Sequence, residues 1–572
     1  MALFQTRRRA PRLARAMLTG VATCLLLTAC GSTPVTGSRP ASSVPTHTFG
    51  VNAPDDPGVR VGPVDPGREL TLSLALAGQG AAPVTPGHFL SPGDYAKTYG
   101  PSDASRAQVA QWLTRHGFAL VASPATGILV QARGSAALAE RLFGVTLSDY
   151  RLADGRTYFA TDRAATIPAE LASVVIAIQG LSNRPLVHPM GIERLDTAGN
   201  HPKPQMLSPG ELETAYNFKP LHQSNVLGQG QTIAFAEIDT FKQSDIDYYD
   251  HAYGLNTLPI SVVKVGDGAG AAKQVSETTL DIEVAHAIAP QAKLIVYEGP
   301  SDFGSLLDIF NRIISDNKAS VVSVSLGGCE PLLWQDSGYG QRFFSALNSL
   351  FQQAAAQGMT VFVSSGDSGA YTCRREDPSL TGRSASLPAT NPFVTAVGGT
   401  ALFLNDDHTY NFEAGWEGPL TGTGGGGGLS VGYARPSWQT GPGVENSSSD
   451  GARQVPDVAA AADPMTGYRI YDSTDGSCVT EECWGAVGGT SAAAPLWAAL
   501  AALADQQGAS QGKQRLGFIN PLLYRLAGNG TQGLHDVTIG GNLGYQCAPG
   551  WDYSTGLGTP DAAVLISQLL QG

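Results

Sequence analysis

Charge is scarce in this chain of 572 residues, of which only 15% are Asp, Glu, Lys or Arg. Positive charge is scarcest over residues 201–572, which hold 18 Lys and Arg against 36 Asp and Glu. A surface of that sign repels a phosphate backbone, so nucleic acid is not expected as a partner. Beyond the first 30 residues no uninterrupted apolar run is long enough to cross a bilayer. Histidine is wanting where a proton relay would need it. None of His201, His222, His251, His286, His408 and His535 stands in a His-Gly-Thr-like context, and His286, near Pro290, reads as a histidine satisfying the C-terminal dipole of its helix. A Ser-His-Asp relay is therefore weakly supported. Cysteine is limited to five residues after the N-terminal segment, at 329, 373, 478, 483 and 547, and their spacing is not that of a zinc site. In an oxidising compartment Cys478 and Cys483 are the simplest pair, Cys329 with Cys373 is a second, and one thiol is left over.

The chain opens with an export signal. Arg7, Arg8, Arg9, Arg12 and Arg15 precede a short apolar stretch from Ala16 to Ala29, closed by Leu27-Thr28-Ala29-Cys30-Gly31. That box resembles a bacterial lipoprotein cleavage site with Cys30 as the lipidated residue; ordinary cleavage after Ala29 is the alternative. The precursor is thus expected to be exported and anchored at the cell envelope through Cys30. A chain of this length needs at least two folded units. Residues 1–30 are the signal and 31–46, rich in Ser, Pro, Thr and Gly, a tether. Residues 47–183 alternate strand-like runs (Leu70 to Leu76, Gly127 to Ala132) with helical ones (Ser105 to His116, Ser135 to Phe143), which predicts a small α+β sandwich. Residues 184–208, with Pro185, Pro189, Pro202 and Pro204, read as an exposed linker.

Residues 209–572 form the third part. Short β-branched runs at Thr232, Ala292, Val321 and Thr360 alternate with helical stretches at Glu277 to Ala289, Phe303 to Asp316 and Arg342 to Gln357, so an α/β fold with a mostly parallel sheet flanked by helices is predicted. Chemistry in such sheets gathers beyond the carboxyl ends of the strands. Gly488-Gly-Thr-Ser491-Ala-Ala-Ala-Pro495 places a serine at the start of an alanine-rich buried helix, with Pro495 expected in its first turn. Ser491 is an N-cap or a nucleophile at the positive end of the helix dipole. Glu277 and Asp281 share one face of a helix capped by Ser276, with no Lys or Arg between Gln274 and Gln291 to offset them. They form a solvated acidic face or a buried, proton-sharing pair. Asp367 lies in Ser364-Ser-Gly-Asp-Ser-Gly directly after an apolar strand, as a turn residue or as a group facing the serine.

In order and context, Glu277-x-x-x-Asp281, the Ser-Gly-Asp-Ser-Gly turn and GGTSAAAP resemble the sedolisin family, the serine-carboxyl peptidases related in fold to subtilisin. SLPATNPFVTAVGGT at 386–400, RQVPDVAAAADPMTGY at 453–468 and PGWDYSTGLGTP near the C-terminus are similar too, and the first unit resembles the family's pro-kumamolisin-type activation propeptide, with a ferredoxin-like fold. The resemblance implies Ser491 as acylating nucleophile, Glu277 as general base and later acid, Asp281 as its orienting, proton-sharing partner, and protonated Asp367 as donor to the oxyanion beside the Ser491 N–H. It implies activity in acid, peptide substrates, a monomer, and self-processing in the linker that leaves Cys30 with the removed part. Glu237 resembles a family acid that extends the proton network, whereas Leu326 departs from the tryptophan some members carry there. The resemblance also implies one Ca2+ held by Asp536 and Asp552 with carbonyls of Val537, Ala548 and Gly550. Ser325-Leu-Gly-Gly reads as a strand edge for a peptide. Gly422-Thr-Gly-Gly-Gly-Gly427 fits GxGxxG in form, but it precedes Pro436 rather than a helix and reads as a loop near the substrate. An endopeptidase and a tripeptidyl-peptidase fit the same residues; a surface lipoprotein that only binds peptides is the competing reading.

Overall fold

The computed structural model describes residues 46–48, 58–152, 155–185, 188–190, 204–270, 276–302, 304–335, 339–474, 483–530 and 533–571. The export signal with Cys30, nearly all of the tether, linker residues 191–203 and Cys478 lie outside the described residues.

The first unit is built from β1 (Glu69–Leu76), α1 (Asp103–Arg115), β2 (Ala119–Val121), β3 (Leu129–Ser135), α2 (Ala136–Phe143) and β4 (Val175–Gln179). Its antiparallel sheet has the order β2-β3-β1-β4, the ferredoxin-like arrangement. Leu70, Leu72 and Leu74 of β1 point into a core shared with Trp112, Leu113 and Phe143 of the two helices, as the alternation in the sequence requires. The opposite residue set turns to the second unit, where Ala75 and Leu129 join a core with Leu307, Phe310 and Phe351.

The second unit carries an eight-stranded sheet. Its strands, preceded by the short β5 (His188–Pro189), are β6 (Thr232–Glu237), β7 (Ser261–Lys264), β8 (Lys293–Glu298), β9 (Val321–Val324), β11 (Thr360–Ser364), β13 (Thr395–Leu404), β14 (Tyr410–Gly415) and β15 (Val458–Ala461). Two further short strands, β10 (Leu326–Cys329) and β12 (Ser386–Leu387), stand off it. The order is β7-β8-β6-β9-β11-β13-β14, with β15 also on β13, and only the β13–β14 pair is antiparallel. Both faces are covered, which is why these strands read as continuous apolar runs. In β6, Ile233 and Phe235 face α3 (Glu277–Ile288) and α6 (Thr490–Ser510), while Ala234 and Ala236 face α4 (Ser305–Asp316) and α5 (Tyr339–Ala356).

α6 is apolar on all sides because it runs through the core: every residue from Thr490 to Asp505 is buried. Two details differ from the sequence reading. The N-cap is Gly489, at φ 116°, a conformation open to glycine at no steric cost, so Ser491 is the second helical residue and not a cap. Pro495 therefore sits in the second turn, where its missing N–H leaves the Ser491 carbonyl without its helical partner.

Candidate active site

The sheet's carboxyl edge gathers the residues that the sequence singled out. Glu237 ends β6, Asp367 follows β11, Ser325 lies between β9 and β10, and the N-termini of α3 and α6 bring in Glu277, Asp281 and Ser491. All five of Glu237, Glu277, Asp281, Ser325 and Ser491 are fully buried, and Asp367 is 7% exposed.

Local structure fixes each group. α3 begins at Glu277 because Ser276 caps it, its hydroxyl accepting from Thr279 N–H at 3.2 Å. Asp239, two residues past β6, accepts from the N–H groups of Glu277 (2.9 Å) and Thr278 (3.2 Å), so the first turn of the helix is held by a half-buried carboxylate. Asp472 does the same for Ser276 N–H at 2.7 Å. Asp281, one turn into the helix, receives the Ser325 hydroxyl at 2.8 and 2.9 Å to its two oxygens. Asp367 Oδ1 accepts from both Thr490 N–H and Thr490 Oγ–H at 2.7 Å, which ties the acid to the residue beside Ser491.

The Gly422–Gly427 loop backs Asp367. Gly424 N–H donates to the Asp367 carbonyl at 2.9 Å, and the Ser365 hydroxyl donates to the Gly426 carbonyl at 2.7 Å. A methyl group on Gly426 would collide with the Ser365 carbonyl, so the glycine run answers to close backbone approach and not to a nucleotide.

Electrostatically the site is a nest of acids. Burial, then the Asp281 charge, push Glu277 well above the usual carboxyl range; the Ser491 hydroxyl nearby acts the other way, and Asp239 and Asp367 add to the rise. Among the described residues neither carboxyl oxygen of Glu277 has a well-formed hydrogen bond, and the Ser491 hydroxyl donates to the carbonyl oxygen of Met190 at 2.8 Å. Burial first and the Asp281 charge second also raise Glu237. Asp281 is raised by burial against the pull of Ser325 and Glu237. Among these acids, protons are shared rather than lost. A group of this kind can take a proton from a hydroxyl and return it to a leaving amine.

Histidine plays no part here: His286 is buried with Nδ1 3.0 Å from Asp250 Oδ1, a pairing inside the fold. Asp239, Asp472 and the side-chain role of Ser325, read only as part of a strand edge, escaped the sequence reading. Asp239 carried one signal, its place just past the carboxyl end of a strand.

The Ser325-Leu-Gly-Gly edge is occupied by the chain itself. β5 pairs antiparallel with β10, His188 opposite Gly327 and Pro189 opposite Leu326, and Met190 N–H donates to the Ser325 carbonyl at 3.0 Å. Leu326 is buried in the core. Cys329 at the end of β10 is disulfide-bonded to Cys373. Cys483 is also disulfide-bonded, and Cys547 is a free thiol.

Near the C-terminus Asp536 and Asp552 hold one loop. Asp536 Oδ2 accepts from Gly550 N–H and Asp552 Oδ2 from Ala548 N–H, each at 2.9 Å. Among the described residues no group of three or more His, Cys, Asp or Glu stands ready for a metal. Burial raises Asp552 to about 6, with no cationic side chain among the groups that act on it.

Residues 58–184 match the pro-kumamolisin activation domain family, and residues 265–516 match the subtilase family. Kumamolisin of Bacillus sp. (strain MN-32) is 33% identical over 504 residues, which is 83% of this chain and 85% of that protein. Tripeptidyl-peptidase 1 of Mus musculus is 28% identical over 557 residues, 90% of this chain and 93% of that one. Among solved structures, Pseudomonas sedolisin (serine-carboxyl proteinase) complexed with two molecules of pseudo-iodotyrostatin superposes with a TM-score of 0.56 at 31% identity, covering 65% of this chain and 100% of that one. An activation domain followed by a subtilase-like unit, shared with such relatives over most of both chains, places this protein in the sedolisin family of serine-carboxyl peptidases, made as a zymogen.

Proposed function

We propose that this protein is the precursor of an acid-active serine-carboxyl endopeptidase that processes itself. The observation that carries the reading is the hydrogen bond that Ser491 Oγ–H donates to the carbonyl oxygen of Met190 at 2.8 Å, beside a buried cluster of acids. Ser491 Oγ attacks a peptide carbonyl while Glu277 takes its proton; Asp281, steadied by Ser325, shares that proton with Glu277, and Glu237 extends the pool. The tetrahedral oxyanion receives the Ser491 N–H at the start of α6 and a proton donated by Asp367. With Oδ1 engaged by Thr490, the donated proton belongs on Oδ2. Glu277 then protonates the leaving nitrogen, and water resolves the acyl-enzyme by the reverse path.

A carboxylate at 367 would repel the oxyanion, so the reaction needs Asp367 protonated and stops as it ionises. Denatured protein offered between about pH 3 and pH 8 tests this. Turnover in acid that vanishes in Ser491→Ala, falls in Glu277→Gln and declines towards neutrality supports the reading, and a rate that stays flat through pH 7 overturns it. Kumamolisin and tripeptidyl-peptidase 1 are both relatives, and cleavage of N-terminally acetylated peptides in their interior separates an endopeptidase from a tripeptidyl-peptidase.

In this reading residues 1–30 direct export, 31–46 tether the precursor to the envelope through a lipidated Cys30, 47–183 are the propeptide, 184–208 the processed linker and 209–572 the peptidase, released as a monomer outside the cell or in the periplasm. Peptides are its partners and nucleic acid is not. The all-oxygen set of Asp536, Asp552 and the carbonyls of Val537, Ala548 and Gly550 is of the kind that suits one Ca2+. Bound there, the ion would neutralise both carboxylates and stiffen the 548–550 turn; it takes no part in bond cleavage.

A further inference from the structure

Residues 188–190 lie on β10 as an added strand, and their three residues are gripped differently. Arg375 Nη1 donates to the Pro189 carbonyl at 2.9 Å, and His188 Nε2 stands 4.0 Å from Glu376. Met190 is gripped by its side chain, which is 3% exposed although it belongs to a connecting segment. Its walls are glycines. A methyl group on Gly327 would collide with Met190 Cε and with Ser386 Oγ, and one on Gly366 would lie 3.8 Å from Met190 Sδ and 3.7 Å from Ser386 Cβ. The thioether thus lies in a slot between two bare backbone stretches, with Ser386 beside both glycines. None of these three wall residues carries a charge that could pair with a basic or acidic side chain.

We propose that the Met190–Gly191 bond is the first that this enzyme cuts, and that the Gly327–Gly366–Ser386 slot selects a long apolar side chain with a slim tip before the scissile bond. The proposal rests on the peptidase reading above and adds to it the bond and the preference. Cleavage at this bond balances simply. Ser491 Oγ bonds to the Met190 carbonyl carbon as its proton passes to Glu277; the carbon–nitrogen bond to Gly191 breaks as Glu277 returns that proton to the nitrogen. Water then adds to the Met190 acyl ester, giving its proton to Glu277, and Ser491 leaves reprotonated. The two glycines meet the side chain at Sδ and Cε, so a short side chain would leave the far end of the slot unfilled, and a charged tip would be buried without a partner.

Acidifying the purified full-length precursor and following intact mass and new N-termini at the earliest times tests the bond. Gly191 as the first new N-terminus, absent in Ser491→Ala, is the expected result. A first cut elsewhere that still depends on Ser491 overturns the assignment and leaves the peptidase reading standing. Absence of any Ser491-dependent cleavage, of the precursor or of added denatured protein, overturns both. Acetylated peptides that differ only before the scissile bond test the slot. Met is expected to exceed Val and Lys by at least tenfold in kcat/KM, and Gly327→Ala to lower the ratio of Met to Ala peptides by ten- to a hundredfold. Met190→Val in the precursor, which leaves the peptidase unit untouched, should slow the cut at 190 by at least tenfold or move it. Equal rates across the peptide set, or unchanged cleavage of Met190→Val, overturn the preference.

Discussion

The carbonyl of Ser491, deprived of a helical donor by Pro495 four residues on, lies 3.3 Å from the Ser325 hydroxyl, which also donates to Asp281. One hydroxyl therefore joins the proposed nucleophile's backbone to the carboxyl beside its base. Removing it in Ser325→Ala should lower kcat by roughly ten- to a hundredfold, the scale of a hydrogen bond to a charged group. KM should change little, because Ser325 meets the peptide through its backbone carbonyl. Steady-state kinetics on one acetylated peptide would show this, and a loss confined to KM would contradict it.

Asp367 offers a sharper comparison. In Asp367→Asn the amide oxygen can still accept from Thr490 while the amide N–H₂ faces the oxyanion, and it cannot ionise. That variant should keep measurable activity and lose the decline towards neutral pH. Asp367→Ala should lose a factor of about 10²–10³ in kcat at every pH. Rate profiles of the two variants between about pH 3 and pH 8 decide the matter.

Asp308 on α4 lies under the propeptide, its carboxyl beside Ser73 of β1 and Gln131 of β3, and burial with the Asp302 charge raises it from 3.8 to about 7. A carboxyl whose value is higher in the docked form takes up a proton on docking, so this contact is strongest at or below about pH 4 and weakens as pH rises towards 7. Acid alone does not loosen it. After processing, the cleaved propeptide should co-elute with the peptidase better at pH 5 than at pH 8 in size-exclusion chromatography, and Asp308→Asn should flatten that difference. Better retention at pH 8 would reverse the sign.

For the C-terminal loop, Ca2+ should raise the melting temperature and chelation lower it. At a hundredfold excess over Kd the stabilisation is about 2.7 kcal/mol. Asp552→Asn should abolish the response, read by calorimetry with and without Ca2+.

Much of this arrangement was legible in the sequence, and the rest was not for identifiable reasons. The strands from Thr232, Val321 and Thr360 announce themselves because both faces of the sheet are covered, and the turn carrying Asp367 follows from its place after a buried strand. Glu277 and Asp281 share a face by helical spacing alone. Their burial, however, is decided by α6 and by β6, both far away in the sequence. Ser325 and Asp239 are invisible as partners for the same reason, since each bond spans tens of residues. Pro495 misled through a local rule: a proline near a helix start is usually in the first turn, but here it sits in the second, with the freed Ser491 carbonyl near the Ser325 hydroxyl. Met190 could be read only as one residue of a proline-rich linker, because nothing local says that this linker lies along β10.

The bond between Cys329 and Cys373 ties the end of the peptide-pairing strand to the turn (Thr372–Arg375) from which Arg375 reaches Pro189. Oxidation of two thiols thus couples where the protein matures to whether it can hold a substrate. With the two sulfurs apart, strand and turn are joined only through weaker contacts, so the proposed export to an oxidising compartment would also be the step that fastens the grip on a substrate.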